Sequence, residues 1–408
     1  MQRVVTTTAA TEHTERLRQF GQAIDEIRRH AETSIGAEDV AHIRRVRSAS
    51  TTLELIGRAL IHVSPEPLSF VAGVVALFLH KQLETAEIGH TVLHGAYDGL
   101  PGAEAFTSTT FRWRTAIDEE SWRVAHNVRH HQYTNIGGRD PDIHFGPVRL
   151  TTLTPHNLFH YVQVPWLLWE ASVFLFGINV HVTGVIDAVF GNGRPEKLDF
   201  LRDRSSASVR RAFGRMLRKL IPHVAREYVL FPALAGPFFA KVLFGNWLSA
   251  TMCNVYSAAT IYCGHVGDQI DQYPDGTRAH SRGEWYRMQV ESSQNFDVPL
   301  PLSILCGALD RQIEHHLFPR LPTNRLRQIS PEVRRVCEQH GVRYRCDSWP
   351  RTLTAVFRRL CRLSLPSAGG ESPETVRRPT HKSLLMRIVM RSHPSKQARM
   401  PIGEQIKM

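Results

Sequence analysis

The chain has 408 residues and a formal net charge of +12 at pH 7, from 50 Lys+Arg against 38 Asp+Glu, with 22 histidines besides. A balance this basic suits contact with phosphates, whether of lipid headgroups, nucleic acid or a phosphorylated cofactor, but no nucleic-acid-binding motif accompanies the charge, so a nucleic-acid partner is set aside. The cysteines Cys253, Cys263, Cys306, Cys337, Cys346 and Cys361 fall at irregular intervals with no C-x-x-C pair, which speaks against a disulfide framework and for a reducing compartment.

The N-terminal stretch MQRVVTTTAATEHTERLRQF has no apolar h-region, so no cleaved signal peptide is expected. Residues 1–50 read as a polar, helix-prone arm carrying Arg28, Arg29, Arg44, Arg45 and Arg47. LELIGRALIHV (53–63) and LSFVAGVVALFLHKQLETAEIGH (68–90) flank the turn signal Ser64-Pro65-Glu66-Pro67 and predict a helical hairpin, its first arm short and carrying Glu54 and Arg58. A basic run follows over 194–226, with Arg202, Arg204, Arg210, Arg211, Arg215, Arg218 and Lys219. Residues 228–265 then read as two apolar arms around a turn at Gly245-Asn246. Past about residue 366 the chain is rich in Pro, Ser, Arg and Lys and is expected to be disordered. The expected division is an arm over 1–50, a main domain over 51–345 and a basic tail over 346–408, with no internal repeat.

Mean hydropathy is −0.24, the value of a soluble chain, but the average hides local runs. No formally charged residue occurs from Leu150 to Trp169 or from Val242 to Gly267. Spanning a bilayer takes about 20 mostly apolar residues, which the second run satisfies; the competing reading is buried core helices of a soluble protein. Positive charge marks the cytoplasmic side of a membrane protein, so the arm, the 194–226 loop and the tail should share one face. Two hairpins, 53–90 and 228–265, satisfy that rule. A single crossing by 157–180 would not, so that stretch is expected to lie in the interface or to dip in and return. The fold expected is therefore all-α and integral to a membrane: two transmembrane helical hairpins and a cytosolic helical cap.

Four histidine clusters stand out: His90 and His94 in EIGHTVLHGAYD, His126, His130 and His131 in SWRVAHNVRHHQYTN, His265 in IYCGHVGD, and His315 and His316 in RQIEHHLFPRLP. The paired histidines four apart share one face of a helix, and all eight can converge on one membrane face. Neutral imidazole binds divalent iron, zinc, copper or nickel. One ion rarely takes more than four, so eight imply two. Structural zinc usually recruits cysteine, whereas two redox-active ions on nitrogen ligands suit oxygen activation on a lipid-soluble substrate. The soluble carboxylate-bridged di-iron design needs paired Glu-x-x-His motifs, and the chain has only Glu87-Ile-Gly-His90.

The set HTVLH, HNVRHH and QIEHH, with GHVGD after a long apolar run, resembles the three histidine boxes of the integral-membrane fatty acid desaturase superfamily over roughly residues 50 to 345. The likeness is strongest to bacterial membrane-bound acyl-CoA desaturases of the stearoyl-CoA Δ9 type. The resemblance implies an O2-dependent desaturase of the bacterial inner membrane, its site facing the cytoplasm, that forms a cis double bond in a fatty acyl chain carried on CoA or a phospholipid. It implies His90, His94, His126, His130, His131, His265, His315 and His316 as ligands of a di-iron centre, with hairpins enclosing an acyl tunnel under a cytosolic cap. Gln312 stands where many Δ9 enzymes have a histidine, as in front-end desaturases, so an amide oxygen or water would replace one ligand. The His-Pro-Gly-Gly of a fused cytochrome b5 is absent; with no fused haem domain, electrons would come from a separate ferredoxin- or flavin-type reductase.

Metal-bound histidines commonly donate their second N–H to a carboxylate, which makes Glu87, Asp98, Asp140 and Asp142 candidates for that duty, solvation or helix capping being the plain alternative. His156 and His160 have box spacing but read as interfacial packing, Trp166 and Trp169 as interface anchors, and the arginines of 202–219 as contacts to acidic headgroups rather than to CoA phosphates. Two other functions compete. A hydroxylase would use the same ligands, and a polyhistidine metal transporter would place its ligands near the bilayer midplane rather than beside Arg123, Arg129, Asp268 and Arg311.

Overall fold

The computed structural model describes residues 2–143, 148–172 and 205–366. The expectations for Arg202 and Arg204, for 173–180 and for the tail past 366 lie outside them. Helix α1 (Gln2–Thr33) is followed at Ser34–Gly36 by α2 (Ala37–Val63), whose first turn is fixed by Asp39 Oδ2 accepting the Gly36 N–H at 2.8 Å. The stripe Phe20, Ile24, Ile27 and Ala31 on α1 is buried among Tyr286, Val290, Ile313 and Val333, at the i, i+4, i+7, i+11 spacing of an apolar helix face. The N-terminal arm is thus part of the core, and the boundary expected at residue 50 falls inside α2.

Helix α3 (Pro67–Gln82) packs back along α2 around the predicted turn, its N-terminus capped by Glu66, whose carboxylate accepts the Ser69 N–H at 2.9 Å. Gly57 and Gly73 let the two backbones touch: a Cβ at Gly57 would sit 2.8 Å from Leu77 N, and one at Gly73 would sit 2.9 Å from Ile61 N. Gly73→Leu should therefore wedge the hairpin open and cost about 1–3 kcal/mol, read as an earlier thermal transition of the purified protein.

The α3 rod continues through a wide π-type turn, Leu83–His90, to Leu93. The short helix α4 (Glu119–Trp122) likewise runs into a π segment, Arg123–His130. Helix α5 (Gln163–Ser172) follows a 3-10 turn at Leu158–Val162. Helix α6 (Ser206–Val224) extends through a third π segment to Leu234, and α7 (Phe239–His265) returns beside it. The turn between them is at Ala235–Phe238, not at Gly245-Asn246. Gly236 supplies the positive φ of 55° and Pro237 follows it. Gly245 is instead a packing glycine, where a Cβ would lie 3.0 Å from Ile61 Cγ2, and Asn246 Nδ2 donates to Glu227 O at 2.6 Å.

Past α7 come α8 (Arg282–Glu291), strand β1 (Asn295–Asp297), α9 (Leu300–Cys306), α10 (Gln312–Leu317), α11 (Thr323–His340), strand β2 (Cys346–Ser348) and α12 (Trp349–Leu363). The strands pair in parallel, Phe296 opposite Asp347, the one sheet among the described residues. The boundary expected at 345/346 runs through this pair, and 346–363 is ordered: Val356 and Leu360 of α12 are buried with Tyr262 and Cys263 of α7.

Among the described residues no helix is long and apolar enough to cross a membrane. Length alone is sufficient: α2 and α7 have 27 residues each, about 40 Å at 1.5 Å per residue. Apolarity falls short because α2 carries Glu54 and Arg58, and α7 interleaves Asn246, Ser249, Asn254 and Ser257. The first expected hairpin is present as the packed pair α2 and α3, whereas in place of the second, 228–265, one unbroken helix, α7, pairs with the end of the α6 rod.

Candidate metal centre

Four elements bring the eight histidines together. His90 and His94 end the α3 rod; His126, His130 and His131 follow α4; His265 closes α7; His315 and His316 lie on α10. The π geometry places the middle set: the His131 N–H donates five residues back to His126 O at 3.1 Å, so the His131 ring meets that of His126 edge-on at 4.8 Å, a placement that α-helical spacing would not give. Trp122 closes one side, its ring stacked on His126 at 4.5 Å and edge-on to His90 at 5.4 Å.

The nitrogens form two chains. In the first, Nε2–Nε2 distances are 3.3 Å for His94–His90, 3.1 Å for His90–His126 and 3.3 Å for His126–His131. In the second they are 3.2 Å for His130–His316 and 3.2 Å for His316–His265, with Gln312 Nε2 2.8 Å from His265 Nε2. Nitrogens bound at about 2.0–2.1 Å to one ion lie roughly 3–3.4 Å apart, so these are the spacings of a coordination shell. Ligand atoms of His90, His94, His126 and His315 all lie within 4.8 Å of one another, as do those of His130, His265 and His316. His131 lies between the groups, 4.7 Å from the His315 ring and 4.6 Å from that of His316.

Protonation fits the same reading for four of the rings. Burial and neighbouring imidazoles push His94, His131, His315 and His316 well below the usual histidine range, leaving neutral rings with lone pairs to offer. Burial acts downward on His130 too, but Asp140 and Asp142 outweigh it and hold the ring up to about 9. His130 Nδ1–H donates to Asp140 Oδ1 at 2.8 Å, so Nε2 is the atom left facing His316. His315 Nε2 and Gln312 Oε1 are buried with no hydrogen-bond partner. Turning the Gln312 amide over would bring its oxygen towards His265, and the amide has room to approach because a Cβ on Gly264 would stand 2.7 Å from Gln312 Cγ.

The acidic candidates separate. Asp140 also accepts the Asn135 N–H at 2.7 Å, and Asp142 Oδ2 lies 3.5 Å from Nδ1 of both His126 and His130. Asp140→Ala should lower metal affinity by about 10–100-fold, measured by competition against a chelator. Glu87 is turned to other partners: His42 Nε2 at 2.7 Å, Thr323 Oγ1 at 2.6 Å and Arg327 at 3.2 Å. Asp98 accepts from Ser108 N at 2.7 Å and Oγ at 2.6 Å. Both brace the fold, and neither is placed against a cluster histidine. His156 and His160 stay outside the cluster: His156 Nε2 donates to Ser364 O at 2.9 Å, and His160 Nδ1 accepts the Asn157 N–H at 2.9 Å.

Gln289 and Thr134 went unseen in the sequence. His316 Nδ1–H donates to Gln289 Oε1 at 3.1 Å, with Thr134 Oγ1 also 3.1 Å from that nitrogen, which fixes its tautomer with Nε2 free. Thr134 follows His130 by one helical turn, a usable signal; Gln289 on α8 has none. A cavity of about 440 Å3 leads from the cluster, passing Trp113, Ile117, Leu220 and Ile261 and reaching His126, His265 and Gln312.

A helical protein whose buried histidines form two ion-sized shells at the end of a largely apolar cavity has the build of a metalloenzyme for long, apolar substrates. The comparisons give the family: the pattern of the family described as "Fatty acid desaturase" matches residues 65–348, and the chain belongs to that family. It is 35% identical to the NADPH-dependent stearoyl-CoA 9-desaturase of Mycobacterium tuberculosis, over 86% of this chain and 82% of that protein. The sn-1 linoleoyl-lipid 6-desaturase of Synechocystis is 24% identical over 67% of this chain and 74% of its own length. Delta(5) fatty acid desaturase A of Dictyostelium discoideum is 25% identical over 67% and 58%. The chain is accordingly an oxidoreductase acting on fatty acyl chains.

Proposed function

We propose that the chain is an O2-dependent, membrane-associated acyl-CoA desaturase that forms a cis double bond in a fatty acyl chain, using two irons held by His90, His94, His126, His130, His131, His265, His315 and His316. The observation that carries the proposal is the junction of the cavity with both nitrogen chains at His126 and His265. When bound, such a metal pair supplies the activation of O2 that removal of two hydrogens requires. The chain's own residues do the rest. Trp113, Ile117 and Leu220 offer an apolar wall to the acyl chain, Trp122 screens the cluster from water, and Asp140 and Gln289 hold His130 and His316 in the tautomer that leaves Nε2 free. A separate ferredoxin- or flavin-type reductase delivers the electrons, a role consistent with the NADPH dependence in the name of the mycobacterial relative.

Burial on the helices supports a place in a membrane, with the histidine site on the cytoplasmic side. On α7 the buried face is Gly245, Asn246, Ser249, Cys253, Ser257 and Thr260, while Phe244 and Val255 are exposed; Leu68 and Val71 of α3 and Ile221 of α6 are exposed too. Small and polar inside with apolar outside is the arrangement of helices in lipid. Lipid profiling of bacteria expressing the chain, with double bonds located by mass spectrometry, should reveal a new monounsaturated acyl species that requires O2. A hydroxylated product would redirect the reading to a hydroxylase, and an unchanged profile in cells holding the loaded protein would refute it.

A further inference from the structure

The segment Leu158–Ser172 is built inside out. Its inner face holds His160, Gln163 and Glu170, nearly wholly buried, while Leu158 is 84% exposed, Leu168 64% and Trp169 48%, with Tyr161 and Val162 exposed between them. The outward residues 158, 161, 162, 168 and 169 follow helical spacing and make one apolar stripe. A second amphipathic element lies beside it. Helix α12 turns Val356, Leu360 and Leu363 inward and presents Arg351, Phe357, Arg358 and Arg362 outward, with Leu365 exposed just past its end.

One polar bond to backbone joins the two directly, and two more join the stretch before the segment to the residues just past α12. Gln163 Nε2 donates to Leu360 O at 2.9 Å, Arg149 donates to Leu365 O at 3.0 Å, and His156 Nε2 donates to Ser364 O at 2.9 Å. The stripe adjoins α7 as well, since Asn254 Nδ2 donates to Ala171 O at 2.9 Å and Trp247 Nε1 donates to Ser172 O at 2.7 Å. Among the described residues, nothing covers this surface.

We infer that the 158–172 segment and α12 form one rigid interfacial platform that seats the protein on an anionic lipid leaflet, the apolar stripe entering the acyl–headgroup boundary and Arg351, Arg358 and Arg362 meeting the phosphates. The inference rests on the membrane reading above and deepens it. An apolar face flanked by exposed cations, with an aromatic at its edge, suits a negatively charged bilayer surface; Arg351 and Arg362 already pair within the chain, with Asp347 and Asp268, but remain exposed beside Arg358. The site gains from this seating because α7 ends at His265, so fixing α7 and α12 at one depth fixes the cluster's height above the lipid.

The test uses the full iron-loaded chain in vesicles of phosphatidylglycerol and phosphatidylcholine whose acyl chains are brominated near the glycerol, comparing the wild type with Trp169→Phe. The emission lost in Trp169→Phe should be quenched by bromolipid at least about twofold more than by aqueous iodide. In vesicles of phosphatidylcholine alone that preference should shrink, and Arg351→Glu/Arg358→Glu should abolish the difference between the two vesicle types. Protein that floats with the vesicles but shows Trp169 open to iodide and blind to bromolipid overturns the platform and leaves the desaturase reading intact. Protein that fails to float with any vesicle overturns both.

Discussion

His316→Ala and His130→Ala each eliminate double-bond formation, lowering turnover by more than about 100-fold, beyond the 10–100-fold typical of groups outside the ligand shell. The expectation follows from placement. The two Nε2 atoms lie 3.2 Å apart, each ring is fully buried, and each Nδ1 is bonded away from the cluster, to Asp140 and to Gln289. Truncating either ring takes a nitrogen from the group formed with His265 and cannot be mended by solvent. Iron content and thermal stability, measured on the same preparations, separate ligand loss from misfolding. A folded His316→Ala protein with wild-type turnover would remove α10 from the site.

Glu227→Ala is expected to have the largest effect on stability. The carboxylate is fully buried and meets Arg58 at 2.7 Å, Lys81 at 2.9 Å and Arg226 at 3.1 Å, so one acid holds cations from α2, the α3 rod and the α6 rod. Removing it leaves Lys81 buried without that partner, and losing one member of a buried pair costs about 3–5 kcal/mol. A fall of roughly 10 °C in the thermal transition is the expected reading. Glu227→Gln keeps the volume and some hydrogen bonding, so its fall should be smaller. Equal transitions for Glu227→Ala and wild type would show that Arg58 and Lys81 find other partners.

The histidine cluster was readable in the sequence because its members come in short local groups, and a spacing of four on a helix is visible without tertiary knowledge. What supports them was less readable. Gln289 reaches His316 across 27 residues, and nothing local in Gln289 announces its partner. The three π segments were invisible for a related reason: one residue too many per turn leaves no compositional mark, yet it sets the edge-on meeting of His126 and His131. Gly245-Asn246 misled because a glycine that opens space for Ile61 looks the same in sequence as a glycine that turns the chain. Helix α12 was assigned to the tail on its arginines, although Leu353, Val356, Leu360 and Leu363 carry helical spacing inward. Hydropathy pointed to spans that no single described helix meets, since polar residues of α7 such as Asn246 and Ser257 are spent on helix contacts.

Whether the eight imidazoles enclose two ions is decided by metal analysis of the purified, ferrous-loaded chain under anaerobic conditions. The expected result is two irons per chain in the wild type and a clear loss in both His94→Ala and His316→Ala, one variant for each nitrogen chain. A saturated wild-type protein holding a single zinc, or one whose iron content is unchanged in both variants, would contradict it.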